Sequence, residues 1–356
     1  MRHAQGVSSP LRVLVVSNMV PSAEVPQYGV FVTRQTRALE QNGCIVEIAG
    51  LERRETGRVG SLRKYAGLRR SGARAATRMQ PDVVLGHYLA PTALMTRRAA
   101  KAAGVPYVLV AHGGDVTHLE RSAALRGGLR RAIRGAAAVV AVSPDLADRL
   151  RAVYPGLDVD VINTGVDRVL FRPGSADLSP WGGEPPRPLI VQIGNLIERK
   201  NPERLARAAQ RLFAERGGGE LWIAGSGPLE ERLRGLTGVR LLGSVEPEQV
   251  PVLLRAADAA ALVALSEGYG LGALEAMACG VPLVVSETAP VVRDLPATAA
   301  VAVDPTSEDA ILDGLRAALE MPREDPAGQA RADAQADLVQ ARRMLDLLAG
   351  VAGRPA

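Results

Sequence analysis

Aromatic residues make up only 3% of the chain, with three phenylalanines and two tryptophans. Together with the lack of any base-reading motif, this argues against nucleic acid as a partner, because binding to bases leans on stacking platforms. Cysteine is almost missing. Cys44 and Cys279 stand far apart in apolar contexts, which excludes a disulfide framework and fits two buried thiols in a reducing cytoplasm. No apolar stretch approaches the length that spans a bilayer. Met1 to Pro10 is polar and leads straight into a strand, so no secretory signal is expected and the protein is expected to be cytoplasmic. The four histidines are scattered, and no Asp-x-Asp pair stands where a divalent ion would bridge a diphosphate. Neither a metal site nor a resident cofactor is therefore expected. A Gly-x-Ser-x-Gly elbow is lacking too, which leaves Ser-His-Asp hydrolysis unsupported. The first strand ends at Ser17 and continues Asn18, Met19, Val20, Pro21, without the Gly-x-Gly-x-x-Gly loop of an NAD-dependent oxidoreductase.

Lysine is scarce as well: Lys64, Lys101 and Lys200 are the only three, and the cationic surface is written in arginine. Residues 1–180 carry 25 Lys and Arg against 14 Asp and Glu, whereas the remainder carries 18 against 24. Most of the excess lies in Arg63 to Arg78 and Arg121 to Arg134. Such a face suits anionic lipid or a phosphorylated acceptor, and it equally suits a solvated surface. In the first stretch, helical spacing groups Arg63, Lys64, Arg70 and Arg74, with Leu62, Ala66 and Leu68 available to dip into a membrane.

With 356 residues, 47% of them hydrophobic, the chain has room for two domains with separate cores. Strand-like runs alternate with helix-like runs. They are Leu11–Ser17, Cys44–Ala49, Asp82–Gly86, Tyr107–Ala111, Ala138–Val142 and Val159–Asn163, then Leu189–Ile193, Leu221–Ala224, Val239–Leu242, Ala259–Leu265 and Leu283–Ser286. The alternation predicts an α/β protein with two Rossmann-like, doubly wound domains. Arg172 to Pro188, crowded with proline and glycine, reads as the linker. The expected divisions are an acceptor-binding domain over 1–175, a nucleotide-binding domain over 176–330 and a helical tail over 331–356. In open parallel sheets ligands lie beyond the carboxyl ends of the strands, so the loops of both domains are expected to face a central cleft.

The segment Ser266 to Gly280, S-E-G-Y-G-L-G-A-L-E-A-M-A-C-G, places Glu267 and Glu275 eight positions apart around a glycine-rich turn. A buried strand precedes it, and Leu271 to Ala278 fits a helix closed by Gly280 and followed by Pro282. The free N–H groups at that helix's start, beginning near Gly270, make an anion site. A glycine-lined pocket between two carboxylates suits a polyol carried on a phosphate, although an ordinary crossover with two surface glutamates would read the same.

Other segments follow predicted strands. After Leu189–Ile193 comes G-N-L-I-E-R-K-N-P, in which Lys200 near a helix start can balance a diphosphate; a solvated loop is the alternative. A-G-S-G-P (Ala224 to Pro228) is a tight turn in which Gly225 lets backbone approach a ligand. A-H-G-G-D (Ala111 to Asp115) sets His112 where it can meet a reacting sugar or merely cap a loop. Pro21 to Phe31 leads into a helix near Gly29, whose N–H groups could meet phosphate.

Taken together, E-G-Y-G-L-G-A-L-E-A-M-A-C-G-V-P, G-N-L-I-E-R-K, A-G-S-G-P, N-T-G-V-D-R-V-L-F-R-P (Asn163 to Pro173) and H-G-G-D resemble the retaining glycosyltransferases of family 4, the GT-B fold, from about Leu11 to about Leu319. The resemblance implies a nucleoside diphosphate sugar as donor and a saccharide, glycolipid or natural-product aglycone as acceptor. By the same resemblance Glu267 engages the sugar hydroxyls, Glu275 the ribose, Lys200 the diphosphate, and the N–H groups of Leu271 and Gly272 cradle it. His112 stands beside the transferred sugar, and the Gly29 backbone meets phosphate. The sequence departs at Asn195, where relatives carry arginine; Arg199 could compensate, though a neighbour on an extended backbone points elsewhere. Asn201 stands where glycine is usual, and the tail lacks an aromatic helix. A non-catalytic sugar-nucleotide-binding protein of the same fold is the alternative, and peripheral contact with the inner face of an anionic membrane is expected if the acceptor is lipid-borne.

Overall fold

The computed structural model describes residues 9–21, 29–50 and 58–354, without the side chains of 58–63. Two compact units emerge, Met1–Thr164 with Asp337–Ala356, and Gly165–Ala336. In the first, six strands form one parallel sheet: β1 (Arg12–Ser17), β2 (Ile45–Gly50), β3 (Val83–His87), β4 (Tyr107–Ala111), β5 (Ala138–Ala141) and β6 (Asp160–Val161). Helices α1 (Val30–Gln41), α2 (Arg58–Met79), α3 (Thr92–Ala103), α4 (Gly114–Arg121), α5 (Ala123–Arg134) and α6 (Pro144–Val153) connect them. The order β2-β1-β3-β4-β5-β6 puts β1 between β2 and β3. Both β3 and β4 are buried along their whole length, as parallel strands covered on two faces must be, and their sequences are nearly unbroken apolar runs.

A second parallel sheet builds the other unit from β7 (Leu189–Ile193), β8 (Glu220–Ala224), β9 (Val239–Gly243), β10 (Ala259–Leu262), β11 (Leu283–Ser286) and β12 (Ala300–Val303), in the order β12-β11-β10-β7-β8-β9. Its helices are α7 (Pro202–Arg216), α8 (Glu230–Leu233), α9 (Val250–Ala256), α10 (Leu271–Ala278), α11 (Glu308–Leu319) and α12 (Pro326–Ala334). The amphipathic spacing of Leu205, Ala208, Ala209 and Leu212 buries that face of α7 in the core with Ile190, Leu221 and Ile223. Counted from its own first strand this is the 3-2-1-4-5-6 order, in which the chain reverses between β7 and β10. Such a reversal opens a crevice at the carboxyl ends of the two strands.

Three sequence expectations change. The strand expected over Ala259–Leu265 stops at Leu262, because Val263 O accepts from the Asn201 side chain and Leu265 N donates to Arg199 O. Strand β12 was not anticipated, since Ala-Val-Ala-Val is short and alanine has little strand preference; pairing with β11 decides it. The division between units falls at Thr164 and Gly165, ahead of the linker. Arg168 is the reason: it bonds Asp333 at 2.6 Å, Gln329 at 2.9 Å and the Ala278 carbonyl of α10 at 2.9 Å, which fixes the N-T-G-V-D-R segment in the second unit. Finally, α13 (Asp337–Val351) belongs to the first unit and packs on α1, with Ala341, Met344, Leu345, Leu348 and Ala349 buried. No described helix is long and apolar enough to cross a membrane.

Candidate active site

In the second unit the site lies where β7 and β10 diverge. The chain leaves β7 through Gly194, exposes Asn195, buries Leu196 and tightens into a 3-10 turn over Glu198–Lys200. That turn aims two cations at one carboxylate. Lys200 Nζ pairs with Glu267 Oε1, while Arg199 Nη1 donates to Ser266 O at 2.6 Å and lies 3.4 Å from Glu267 Oε2. The expected divergence of Arg199 from Lys200 is thus corrected, because the backbone is a tight turn there and not extended. The Glu267 side chain is only 10% exposed and that of Lys200 20%, so the pair is shielded from water more than a surface salt bridge would be.

Asn201 explains its own departure from glycine. It sits at φ 56°, a left-handed conformation that asparagine tolerates, and its amide donates to Val263 O at 3.1 Å and Pro305 O at 2.7 Å. Arg204 in turn donates to its oxygen at 2.8 Å. One buried side chain therefore joins the loops after β7, β10 and β12.

Gly270 precedes α10 at φ 105°, where a Cβ would come within 2.7 Å of Val291 Cγ1. Leu271 and Gly272 supply the first N–H groups of that helix, which have no partner within it. Glu275 follows one turn on, partly buried. Gly225 has a use within the fold itself. A Cβ there would meet Gly194 O at 1.9 Å, and at Gly227 it would meet Leu196 O at 2.4 Å. The A-G-S-G-P turn thus makes room for the protein's own lysine loop, held by Leu196 N to Ser226 O at 3.0 Å.

In the first unit, Gly29 begins α1 at φ 81°, and a Cβ would stand 2.6 Å from Met19 O. Most of the Pro21 to Phe31 loop, residues 22–28, lies outside the described residues. Phe31, the second residue of α1, packs its ring on His112 at 4.6 Å, and Tyr88 does so at 4.7 Å. His112 Nε2 lies 3.0 Å from Nδ1 of buried His87. Burial pushes His87 down to about 3, and lowers His112 well below its ordinary range, with the neighbouring His87 adding to the effect. Both rings are neutral at pH 7. Sequence reading missed His87, whose signal was its place at the carboxyl end of a strand taken to end one residue earlier. The H-G-G-D motif gives no sign of what Asp115 does; its buried carboxylate accepts from four backbone N–H groups and shapes the loop.

The basic face changes too. Leu68 is fully buried in the core and unable to dip outward, and the side chains of Leu62 and Arg63 lie outside the described residues. Cations instead gather between α2 and α3, where Arg69, Arg70, Arg74 and Arg98 line a groove of about 430 Å³ that continues past Arg97 and Lys101. Neither helix contains an acidic residue. Burial pushes the Cys44 thiol up to about 11 and that of Cys279 to about 12, so neither is a nucleophile.

Two parallel sheets, each with a glycine-shaped loop cluster at its carboxyl edge, define a protein with two Rossmann-like units. The model for glycosyl transferases group 1 matches residues 179–335, and that for glycosyltransferase family 4 matches residues 28–169. The chain belongs to this family. N-acetyl-alpha-D-glucosaminyl L-malate synthase of Bacillus anthracis is 29% identical over 60% of this chain and 58% of its own length. Alpha-maltose-1-phosphate synthase of Mycolicibacterium smegmatis is 27% identical over 55% of this chain and 57% of its own. The matches thus reach less than two thirds of these relatives. Among solved structures, sucrose-phosphate synthase from Thermosynechococcus elongatus superposes with a TM-score of 0.77 at 18% identity, covering 96% of this chain and 99% of that one. Anabaena HepE, solved with UDP and glucose, gives 0.71 at 18%, covering 95% and 99%. These likenesses establish a shared GT-B fold.

Proposed function

We propose that this protein transfers a hexose or amino-hexose from a nucleoside diphosphate sugar to an acceptor hydroxyl, with retention at the anomeric carbon and without a metal ion. The observation that carries the reading is the convergence of Lys200 and Arg199 on Glu267 at the reversal between β7 and β10, beside the start of α10. When a donor enters, its diphosphate competes with Glu267 for Lys200, and Glu267 is released to accept from sugar hydroxyls. The anomeric C–O bond breaks with its electron pair on the diphosphate, stabilised by Lys200 and by the N–H groups of Leu271 and Gly272. Glu275 accepts from the ribose hydroxyls. The acceptor oxygen attacks from the face the diphosphate leaves and gives its proton to a phosphate oxygen, so no side-chain base is required. Product anomers followed by NMR during transfer test the reading: a retained anomer is expected, and an inverted one would overturn retention. Turnover should persist in excess EDTA, and a strict need for Mg²⁺ or Mn²⁺ contradicts the proposed site.

The acceptor is lipid-borne in this reading, because the α2–α3 face concentrates arginine with no acidic residue on either helix. At about 1 kcal/mol per basic residue near an anionic surface, three or four contacts give weak, salt-sensitive binding. Sedimentation with anionic vesicles is expected at low salt and not at high salt. Failure to sediment at low salt would favour a water-soluble acceptor.

A further inference from the structure

His87 ends β3, is 1% exposed, and has no place in the mechanism above. Its Nδ1 lies 3.0 Å from Nε2 of His112, a separation at which one nitrogen donates and the other accepts. His112 is fixed on its other sides. The rings of Phe31 and Tyr88 flank it. Its backbone N–H donates to Asp115 Oδ1 at 3.1 Å, and the same carboxylate takes Leu89 N–H at 2.8 Å on Oδ2, which ties the loop after β4 to the loop after β3. With Nε2 committed to His87, Nδ1 is the one nitrogen of His112 left for a ligand, and it makes no hydrogen bond among the described residues.

We propose that His87 is a positioning residue that sets the tautomer of His112: His87 Nδ1–H donates to His112 Nε2, and His112 presents its own Nδ1–H as a neutral donor to an oxygen of the transferred sugar. The direction follows from the far side of His87, where Nε2 is buried with no hydrogen-bond partner. A proton on that atom would leave a buried N–H orphaned, which folded proteins avoid more strictly than an unmet acceptor. The proton therefore stays on Nδ1, and the hydrogen bond passes the constraint to His112. A neutral donor also avoids the cost of desolvating an imidazolium among aromatic rings. The sugar as ligand rests on the glycosyltransferase reading; the tautomer is a property of the free protein.

The chain has only four histidines, so histidine-selective ¹⁵N and ¹³C labelling of the full-length protein resolves them. We expect His112 Nδ1 to give a protonated, pyrrole-type signal and Nε2 an unprotonated one, unchanged between about pH 6 and 8. His87→Phe should leave His112 a mixture of tautomers and lower kcat by up to about 100-fold while the donor KM moves less than about twofold. His87→Asn, whose side-chain amide sets an N–H donor where Nδ1 stood, should restore one tautomer and most of kcat. A proton on Nε2 of His112 in the wild-type protein, or a single tautomer persisting in His87→Phe, would overturn the proposal. The wild-type spectrum decides the direction whether or not His87→Phe folds. If the protein turns over no sugar nucleotide, the spectra still decide the tautomer, and only the functional reading falls.

Discussion

Asn201 shows how one residue holds a site without touching chemistry. Its left-handed backbone and two amide bonds to buried carbonyls are separable by substitution. Asn201→Gly keeps the backbone and loses the bonds; Asn201→Ala loses both. Since an alanine in this conformation costs about 1 kcal/mol more than glycine, thermal unfolding should rank wild type above Gly and Gly above Ala. An equal or reversed order would show that the backbone is not strained there. The histidine pair gives a second prediction at this scale. His87 has its pKa pushed from 6.5 to about 3 by burial, and His112 is lowered in the same direction. Bases depressed in the fold take up protons on unfolding, so their stability is whole above pH 6.5 and is lost as pH falls toward 3. Asp115, raised by burial against four N–H donors, works oppositely, adding stability below its ordinary range. Two groups outweigh one, and the first unit should lose stability as pH is lowered from about 7 to about 5, less steeply in His87→Phe. A flat profile in the wild type contradicts neutral, buried rings. Little of this was legible beforehand, because a histidine ending an apolar strand reads as core, and only the fold brings it against His112.

At the scale of elements, the strand-to-helix alternation was readable because parallel strands buried on both faces leave unbroken apolar runs; Tyr107–Ala111, Leu189–Ile193 and Leu283–Ser286 match their predicted limits. What escaped was set by tertiary partners. The Ala300–Val303 strand exists by pairing with β11, and the end of β10 is cut short by Asn201. The docking of α13 was also beyond the sequence, which showed an amphipathic stripe without its partner. That partner is α1, and Arg343 to Val161 O at 3.0 Å and Arg354 to Asp82 at 2.6 Å bind the segment further to the first unit. Met344→Ala or Leu348→Ala should therefore destabilise the first unit by about 2–5 kcal/mol, read as an earlier transition in calorimetry. Loss confined to the second unit's transition would contradict the packing. Gly225→Ala is the corresponding test of the lysine loop. A Cβ 1.9 Å from the Gly194 carbonyl must displace the backbone that carries Lys200, so the variant should weaken nucleoside diphosphate binding although Gly225 itself need not meet the ligand.

For the whole molecule, the two-sheet plan and the placing of the candidate residues at the carboxyl edge of the second sheet were both visible in the motifs, since glycines, a lone lysine and paired glutamates each followed an apolar run. The convergence itself was not, because it depends on a 3-10 turn that no periodicity announces. At the centre of this reading, Lys200 holds the leaving diphosphate of a sugar nucleotide while Glu267, its partner in the free protein, turns to the sugar. Release of UDP or GDP from the matching sugar nucleotides, compared between wild type and Lys200→Ala, tests it most directly. The wild type should give measurable release, and turnover in the variant should fall by about two orders of magnitude, as for other losses of preorganised charge. Turnover in Lys200→Ala equal to that of the wild type would contradict it.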